Sequence, residues 1–265
     1  MFKKIKLILG ILIFLNFLNL ATAKENFFNE AKSKFDQEKC ILYFHGGAYI
    51  AGSPETHQNF LTALCEKSKT NIYAIDYALA PENKFPAALN DAVSSYKALL
   101  EIGYKSENIY FGGDSAGGNL VLVSILKLQE TNQKLPAKAF LLSPWTNLIC
   151  NGESMKSNSE KDPYLSNDAV LKKTVEEWYA PNEDYHNPFI SPVFANYESF
   201  PETLVQVSDI EILLSDSVDL VKNMETNDNK VMLSIYKNLP HVWQVFGFLP
   251  ESKKAIIEIS NFLNS

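Results

Sequence analysis

The stretch FGGDSAGGN, residues 111–119, places Ser115 between two pairs of glycines. An apolar run at 108–111 precedes it, and the helical pattern GNLVLVSILKLQ follows it. A strand, a sharp turn and a helix in this order are the context that a G-x-S-x-G turn requires. Glycine is needed on both sides because larger side chains would collide with the neighbouring strand and helix. The stretch predicts an exposed Ser115 hydroxyl at a helix N-terminus, although a serine-capped glycine turn would also fit the motif alone.

A serine hydroxyl becomes a useful nucleophile when an imidazole takes its proton and a carboxylate orients that imidazole. His241 follows the apolar stretch 231–236 and comes late in the chain, so we expect it near the sheet edge where ligands bind. The other histidines are expected elsewhere: His57 and His186 in surface or capping roles, and His45 at the start of a glycine turn. Two carboxylates follow the apolar stretch 202–207 and compete for the acid's role, Asp209 and Glu211.

The segment YFHGGAYIAGS, residues 43–53, follows another apolar run and carries consecutive small residues. The backbone amides of Gly46, Gly47 and Ala48 would have no partner in a regular element. Such amides can bind a developing oxyanion, with the Ala116 amide as a further donor. We therefore expect an oxyanion hole here.

Short apolar runs alternate with helical patterns along the chain, which predicts an α/β fold with a mostly parallel central sheet and helices on both faces. Residues 146–200 are longer than one crossover needs and predict a small cap insertion over the end of the sheet. The predicted strands are 40–44, 71–76, 108–111, 137–142, 202–207 and 231–236. The predicted helices are 54–68, 86–101, 117–130, 212–225 and 251–264.

The composition of the chain limits the classes of molecule that it is expected to bind. The 265 residues carry a formal charge of −7, and all 24 basic residues are lysine, so the planar guanidinium that binds phosphate with two hydrogen bonds is absent. We expect neither nucleic acid nor an anionic membrane as a partner. The three cysteines are too scattered for a metal cluster and predict either one disulfide or three buried thiols. They are Cys40, Cys65 and Cys150.

The N-terminus has the composition of a secretory signal peptide: three lysines, an apolar run at 7–20, and Ala-Thr-Ala at 21–23. Cleavage after Ala23 would change the charge from −7 to −10 by removing Lys3, Lys4 and Lys6. The product, 24–265, would be one domain that is secreted or periplasmic, with no stable membrane span. An uncleaved anchor is the alternative, although the run is shorter than the ~20 residues that span a bilayer.

Four motifs in order resemble those of the hormone-sensitive lipase-like family of α/β-hydrolase carboxylesterases, in its bacterial branch. FHGGAYIAGS resembles the family's H-G-G-G signature, DYALAPENKFPAALNDA its D-Y-R-L-A-P-E block, GDSAGGNL its nucleophile motif and LPHVWQVF its histidine motif. The resemblance implies an α/β-hydrolase fold. EILLSD, residues 211–216, aligns with the family's acid block, so the resemblance favours Glu211 as the acid, with Asp209 in reserve.

The chain departs from the family pattern in three respects: at two positions and in the length of its N-terminal segment. Ala48 stands where the third glycine is usual, which a negative φ would allow. Ala78 replaces the arginine of the D-Y-R block. Only residues 24–39 would precede the first motif strand, which predicts a more open substrate cleft than relatives have.

The resemblance implies a serine hydrolase of short-chain carboxylic esters that needs no cofactor and no metal. Its catalytic residues would be Ser115, Glu211 and His241, and its substrate a small-molecule ester. Trp145, Trp178, Tyr179 and Phe189 lie in or near the insertion and predict a small apolar acyl pocket, or else ordinary core packing. The alternatives are a deacetylase of sugars or xenobiotics and a non-catalytic ligand-binding protein. The oligomeric state is not predicted.

Overall fold

A computed structural model describes residues 5–8, 36–165 and 168–265 of the chain. It contains one seven-stranded sheet, in the order β1-β3-β2-β4-β5-β6-β7. The strands are β1 (Ile5–Ile8), β2 (Asp36–Phe44), β3 (Thr70–Ile75), β4 (Ile109–Asp114), β5 (Lys138–Leu142), β6 (Glu202–Ser208) and β7 (Val231–Tyr236). Strands β2 to β7 run parallel, and β1 pairs antiparallel with β3 at the edge.

All six predicted strands are present, with ends that shift by a few residues. The interior strands are buried on both faces, as parallel sheets in α/β proteins usually are. Successive residues of β2 therefore enter two different cores: Leu42 and Phe44 pack on one face, and Ile41 and Tyr43 on the other.

Helices cover both faces of the sheet. Helices α2 (Ala87–Glu101), α3 (Ala116–Glu130) and α6 (Leu214–Thr226) contribute to the larger core, whereas α1 (Gln58–Ser68) and α7 (Pro250–Asn264) contribute to the smaller one. In α2, apolar residues three or four positions apart are buried: Ala88, Ala92, Tyr96 and Leu99. Helix α3 is buried along almost its whole length because it lies between the sheet and its neighbours.

The connection between β5 and β6 carries short elements rather than one crossover helix. They are α4 (Glu153–Ser157), α5 (Asp168–Lys173), a π-helical turn (Thr174–Tyr179) and a 3₁₀ turn (Pro192–Phe194). Buried Asp216 anchors its start, since Oδ2 accepts hydrogen bonds from the Thr146 amide at 2.7 Å and the Asn147 amide at 2.8 Å. Burial raises the pKa of Asp216 to about 7.

Most of the predicted signal peptide lies outside the described residues, and so do residues 24–35. The four residues of β1 are the part of the leader that the structure describes. Among the described residues, no helix is both long and apolar enough to span a bilayer. No disulfide joins the three cysteines, all of which are described and buried.

Candidate active site

Ser115 lies on a strained turn between β4 and α3. Its φ of 52° and ψ of −119° lie outside the regions that L-residues usually occupy. A Cβ at Gly117 would overlap the Phe44 carbonyl oxygen and stand 2.7 Å from that of His45, and one at Gly113 would overlap the Gly117 carbonyl oxygen. The glycines therefore allow β4, α3 and the end of β2 to approach at backbone distance, as the sequence predicted.

A continuous hydrogen-bonded chain connects Ser115 to His241 and Glu211. Ser115 Oγ lies 2.9 Å from His241 Nε2, and His241 Nδ1 lies 2.6 Å from Glu211 Oε2. The three residues follow β4, β7 and β6, so the parallel sheet delivers them to one edge from positions up to 126 residues apart. An imidazole held in this way can accept the serine proton, and the carboxylate stabilises the resulting imidazolium.

The second oxygen of Glu211 is fixed by two further donors. Oε1 accepts hydrogen bonds from the Ser208 amide at 2.7 Å and the Ser143 hydroxyl at 2.8 Å. The side chain is fully buried, and His241 is 5% exposed. With both oxygens engaged, the carboxylate has one orientation relative to His241.

Asp209, the reserve acid, has a different place. Its Oδ1 accepts a hydrogen bond from the Asn238 amide at 2.8 Å, and its backbone amide donates to the Tyr236 carbonyl. Asp209 therefore braces the loop between β7 and His241, while Glu211 contacts the imidazole.

The loop after β2 differs from the prediction in two respects. The Gly46 amide donates to Asp114 Oδ1 at 3.0 Å, so it is already engaged and the prediction of Gly46 as an oxyanion donor was wrong. Ala48 has a φ of 53° rather than a negative one, because Gly47, Ala48 and Tyr49 form a left-handed turn closed by hydrogen bonds from Ile50 and Ala51 to the Gly47 carbonyl.

Three of the four predicted donors remain. Within the described ranges, no hydrogen bond is made by the amides of Gly47, Ala48 and Ala116. The Gly47 and Ala48 amides are consecutive, and Ala116 begins the helix that follows Ser115. Such amides, at a turn and at a helix N-terminus, are the donors that a developing oxyanion requires.

Tyr49 holds this turn in place. It is fully buried, its hydroxyl donates to Asn119 Oδ1 at 2.7 Å, and its ring stacks on Tyr179 with centroids 3.9 Å apart. Asn119 in turn donates to the carbonyl oxygens of Trp145 and Ile190, both at 2.9 Å. The network ties the turn at Gly47–Tyr49, the helix after Ser115 and the insertion together.

The four aromatic residues in or near the insertion differ in burial. Trp145 and Tyr179 are buried in the larger core, whereas Trp178 and Phe189 pack against it and are partly exposed. The Trp145 amide donates to the Ser115 carbonyl at 3.1 Å, so the Trp145 backbone lies against the turn at Ser115.

His57 lies at the N-cap position of α1, but its side chain makes no capping hydrogen bond there. Predicted at the surface or in a capping role, it is mostly buried, with Nε2 3.2 Å from Asp114 Oδ2. Its position before α1 gave no hint of this contact, since the two residues are 57 positions apart. His186, by contrast, is exposed and lies near Asp184, as expected for a surface histidine.

Ala78, where the family pattern has an arginine, is held by a hydrogen bond of its backbone. The Ala78 amide donates to Asp91 Oδ2 at 2.8 Å, so a backbone contact serves this segment where the family has an arginine side chain. Tyr164, which lies in the insertion, places its ring centroid 6.3 Å from that of His241.

In the described part of the chain, no three acidic, histidine or cysteine side chains are grouped as metal ligands.

Comparisons with known proteins agree with this architecture. A family model described as alpha/beta hydrolase fold matches residues 41–245. An esterase of Acinetobacter venetianus is 34% identical over 237 residues, 89% of this chain and 78% of its own, and an acetyl-hydrolase of Streptomyces hygroscopicus is 32% identical over 228 residues, 86% and 76%. The crystal structure of an esterase from the bacterial hormone-sensitive lipase family superposes with a TM-score of 0.85 at 36% identity, covering 87% of this chain and 77% of that one. The chain thus belongs to the α/β-hydrolase family, in its bacterial hormone-sensitive lipase branch, and is a carboxylesterase.

Proposed function

We propose that the protein hydrolyses short-chain carboxylic esters, with Ser115 as nucleophile, His241 as general base and acid, and Glu211 as the acid that orients His241. The observation that carries this proposal is the chain of hydrogen bonds from Ser115 Oγ through the imidazole to Glu211. Acyl transfer needs a proton to move between the serine hydroxyl and the imidazole, and these hydrogen bonds support that movement.

In the first half-reaction, Ser115 Oγ attacks the ester carbonyl carbon as its proton passes to His241 Nε2. The carbonyl oxygen becomes an oxyanion, which the amides of Gly47, Ala48 and Ala116 would stabilise. The tetrahedral intermediate then collapses: the bond from the carbonyl carbon to the alkoxy oxygen breaks, and His241 gives its proton to the departing alcohol. Ser115 is left as an acyl ester.

In the second half-reaction, water attacks the acyl carbon while His241 takes a proton from it. Collapse of this intermediate breaks the bond to Ser115 Oγ, returns the proton to the serine and releases the carboxylic acid. Glu211 stays ionised throughout and stabilises the imidazolium in both halves.

Large side chains around Ser115 support a short acyl group. The Trp145 amide donates a hydrogen bond to the Ser115 carbonyl. Tyr49 directly follows Ala48, and its ring stacks on that of Tyr179. All three side chains are at least 98% buried, and we propose that these closely packed rings limit the room for an acyl chain beside Ser115.

Removal of acetyl groups is the second candidate function, because one relative at 32% identity is named an acetyl-hydrolase. The same residues would act, with acetate as the acid product and an acetylated sugar or xenobiotic as substrate. A panel of 4-nitrophenyl acetate, butyrate and octanoate, followed by acetylated sugars, separates the two functions. Octanoate turnover faster than acetate and butyrate would contradict the short-chain proposal.

The nucleophile is tested by the intact mass of the protein before and after a fluorophosphonate probe. Wild type should gain one adduct, and Ser115→Ala should gain none while keeping its melting temperature. Folded wild type that stays unlabelled and does not cleave esters would sink the triad and favour a non-catalytic ligand-binding protein.

The same mass spectrum tests the proposed export. We propose that residues 1–23 are a signal peptide and that the protein is secreted or periplasmic; a mass matching residues 24–265 is expected after expression in a cell that exports it. A mass that retains the leader in the exported fraction would favour an uncleaved anchor.

A further inference from the structure

Asp114 is a buried carboxylate that lies between the turn at Ser115 and the loop at Gly46–Ala48. It takes no part in the proton transfers proposed for ester hydrolysis. Asp114 directly precedes Ser115, and its Oδ1 accepts hydrogen bonds from the Tyr43 hydroxyl at 2.7 Å and the Gly46 amide at 3.0 Å. Its Oδ2 faces His57 Nε2 at 3.2 Å. Gly46 precedes the Gly47 and Ala48 amides, so one carboxylate holds both the nucleophile turn and the oxyanion loop.

The hydrogen bonds around His57 indicate which protons it carries. Nε2 faces a carboxylate oxygen, which only accepts. Nδ1 lies 2.9 Å from Thr56 Oγ1 and 3.2 Å from the Ser53 carbonyl oxygen. The Thr56 hydroxyl donates to that same carbonyl at 2.7 Å, so its oxygen is left to accept. Both ring nitrogens face acceptors, and the arrangement as it stands fits the imidazolium form.

Loss of the Nδ1 proton requires a local rearrangement. The Thr56 hydroxyl would turn away from the Ser53 carbonyl and donate to Nδ1 instead, while Nε2 kept its proton and its bond to Asp114. That bond would then join a neutral donor to the carboxylate rather than a charged one. Hydrogen bonds between charged partners are shorter and roughly twice as strong, so deprotonation loosens the hold on Asp114 without abolishing it.

The groups around His57 agree with a buried ion pair. Burial lowers the pKa of His57, but the Asp114 charge and hydrogen bond outweigh it and leave the pKa raised. Burial likewise raises the pKa of Asp114, and the attraction of His57 together with hydrogen bonds from His57 and Tyr43 brings it below its usual value.

The remaining neighbours supply no competing cation. Tyr43 packs from β2 with its ring centroid 6.3 Å from that of His57, and burial holds its pKa well above the usual value. His45, 5.9 Å away, stacks on Tyr77, and burial lowers its pKa, which favours its neutral form; the Asp76 charge, just after β3, has the opposite effect on that pKa. Asp114 is therefore the charged group that His57 meets.

We propose that His57 is a positioning residue: through the Asp114 carboxylate it fixes the Gly46 peptide and hence the placement of the Gly47 and Ala48 amides relative to Ser115. The inference rests on the proposed oxyanion role of those amides. His57 does not touch the substrate, and its effect should appear in the transition state, where the oxyanion forms, rather than in substrate binding.

The test compares His57→Ala, His57→Gln and a matched control, His186→Gln, on 4-nitrophenyl butyrate across pH. His57→Ala should lower kcat by about 10- to 100-fold, as expected for a displaced oxyanion donor, and change KM by less than about threefold. Glutamine can donate from Nε2 to Asp114 without titrating, so His57→Gln should recover most of kcat. Wild-type kcat should fall as pH rises past the His57 pKa, down to the level of His57→Gln, whose rate shows no such fall. His186→Gln should match wild type at every pH.

A second measurement reads the protonation state of His57 directly in the wild-type protein. With four histidines in the chain, the ring nitrogen shifts of His57 can be assigned by NMR in wild-type protein against His57→Gln. The proposal expects both ring nitrogens of His57 to be protonated at neutral pH, with deprotonation at the pH where kcat falls. A singly protonated His57 at neutral pH, or identical alkaline profiles for wild type and His57→Gln, would overturn it.

Failure of this inference is distinguishable from failure of the proposed function. If wild type takes the fluorophosphonate and the His57 variants, folded by their melting curves, turn over at the wild-type rate, the positioning role falls and the serine mechanism stands. If wild type neither takes the probe nor cleaves esters, the proposed function itself falls, and the positioning role with it.

Discussion

Replacing Glu211 by Gln should inactivate the enzyme by trapping the wrong tautomer of His241. The position of Oε1 receives the Ser208 amide at 2.7 Å, which can only donate, so the glutamine oxygen must occupy that position. The glutamine NH₂ group is then forced towards His241 Nδ1, 2.6 Å from the present Oε2. Nδ1 would have to accept, which leaves the proton on Nε2, where it faces Ser115. An imidazole in that state cannot take the serine proton.

The expected loss follows from equivalent tautomer traps, in which kcat falls about 10⁴-fold, or about 5 kcal/mol of transition-state stabilisation. Steady-state hydrolysis of 4-nitrophenyl butyrate measures it, and the melting temperature should stay within a few degrees because the side-chain volume is kept. Asp209→Asn is the matched control: the asparagine oxygen can still accept from Asn238, so kcat should change by less than about threefold. The reasoning is refuted if Glu211→Gln keeps a tenth of the wild-type kcat, or if Asp209→Asn is the more damaging substitution.

Three further predictions concern stability and one concerns thiol chemistry. Gly117→Ala should unfold the protein or lower its stability by several kcal/mol, since the new methyl overlaps the carbonyl oxygen at the end of β2; Gly247→Ala, whose Cβ would have nothing within 4 Å, should melt near wild type. Ala48→Gly should stabilise by about 1 kcal/mol in urea unfolding, because glycine removes the strain of a φ of 53°; a destabilised variant would contradict that account. The His57–Asp114 pair should stabilise the fold between the lowered pKa of Asp114 and the raised pKa of His57, so that changing His57 to Gln reduces stability inside that pH window and converges with wild type above it; a constant difference at all pH values would argue against ionic pairing. The three buried cysteines should react with a thiol reagent only after denaturation, and fast labelling of the native protein would show that the core opens.

The parts of the site that the sequence predicted are those specified by local pattern and chain order. Ser115 lies in a strand–turn–helix context, and His241 follows a late strand, so sheet topology alone brings both to one edge. The choice between Asp209 and Glu211 could not come from spacing, since the two are two residues apart. The family's acid block favoured Glu211, and the structure places it, rather than Asp209, against the imidazole.

The parts that the sequence did not predict depend on contacts between distant segments. His57 was assigned a surface or capping role because it falls in the predicted helix 54–68, yet Asp114 meets it from 57 residues away. Gly46 was assigned to the oxyanion hole because nothing local consumes its amide, but the same carboxylate does so from 68 residues away. One buried acid, Asp114, makes both contacts, and nothing in the sequence indicated it as the partner of either residue.

Backbone strain at the site is held by tertiary contacts rather than by glycine alone. Ser115, Ala48 and Tyr49 all have positive φ, at a cost of roughly 1 to 3 kcal/mol each, and groups from other segments restrain Ser115 and Tyr49. The Ser115 amide donates to the Leu142 carbonyl and its own carbonyl accepts from Trp145, while Tyr49 is fixed by its hydroxyl bond and its stacked ring. Because these restraints come from β5, α3 and the insertion, the strained turns keep their shape only in the complete fold. The amides at Gly47, Ala48 and Ala116 are therefore preorganised before any substrate arrives, which is the condition under which backbone donors contribute most to stabilising a transient oxyanion.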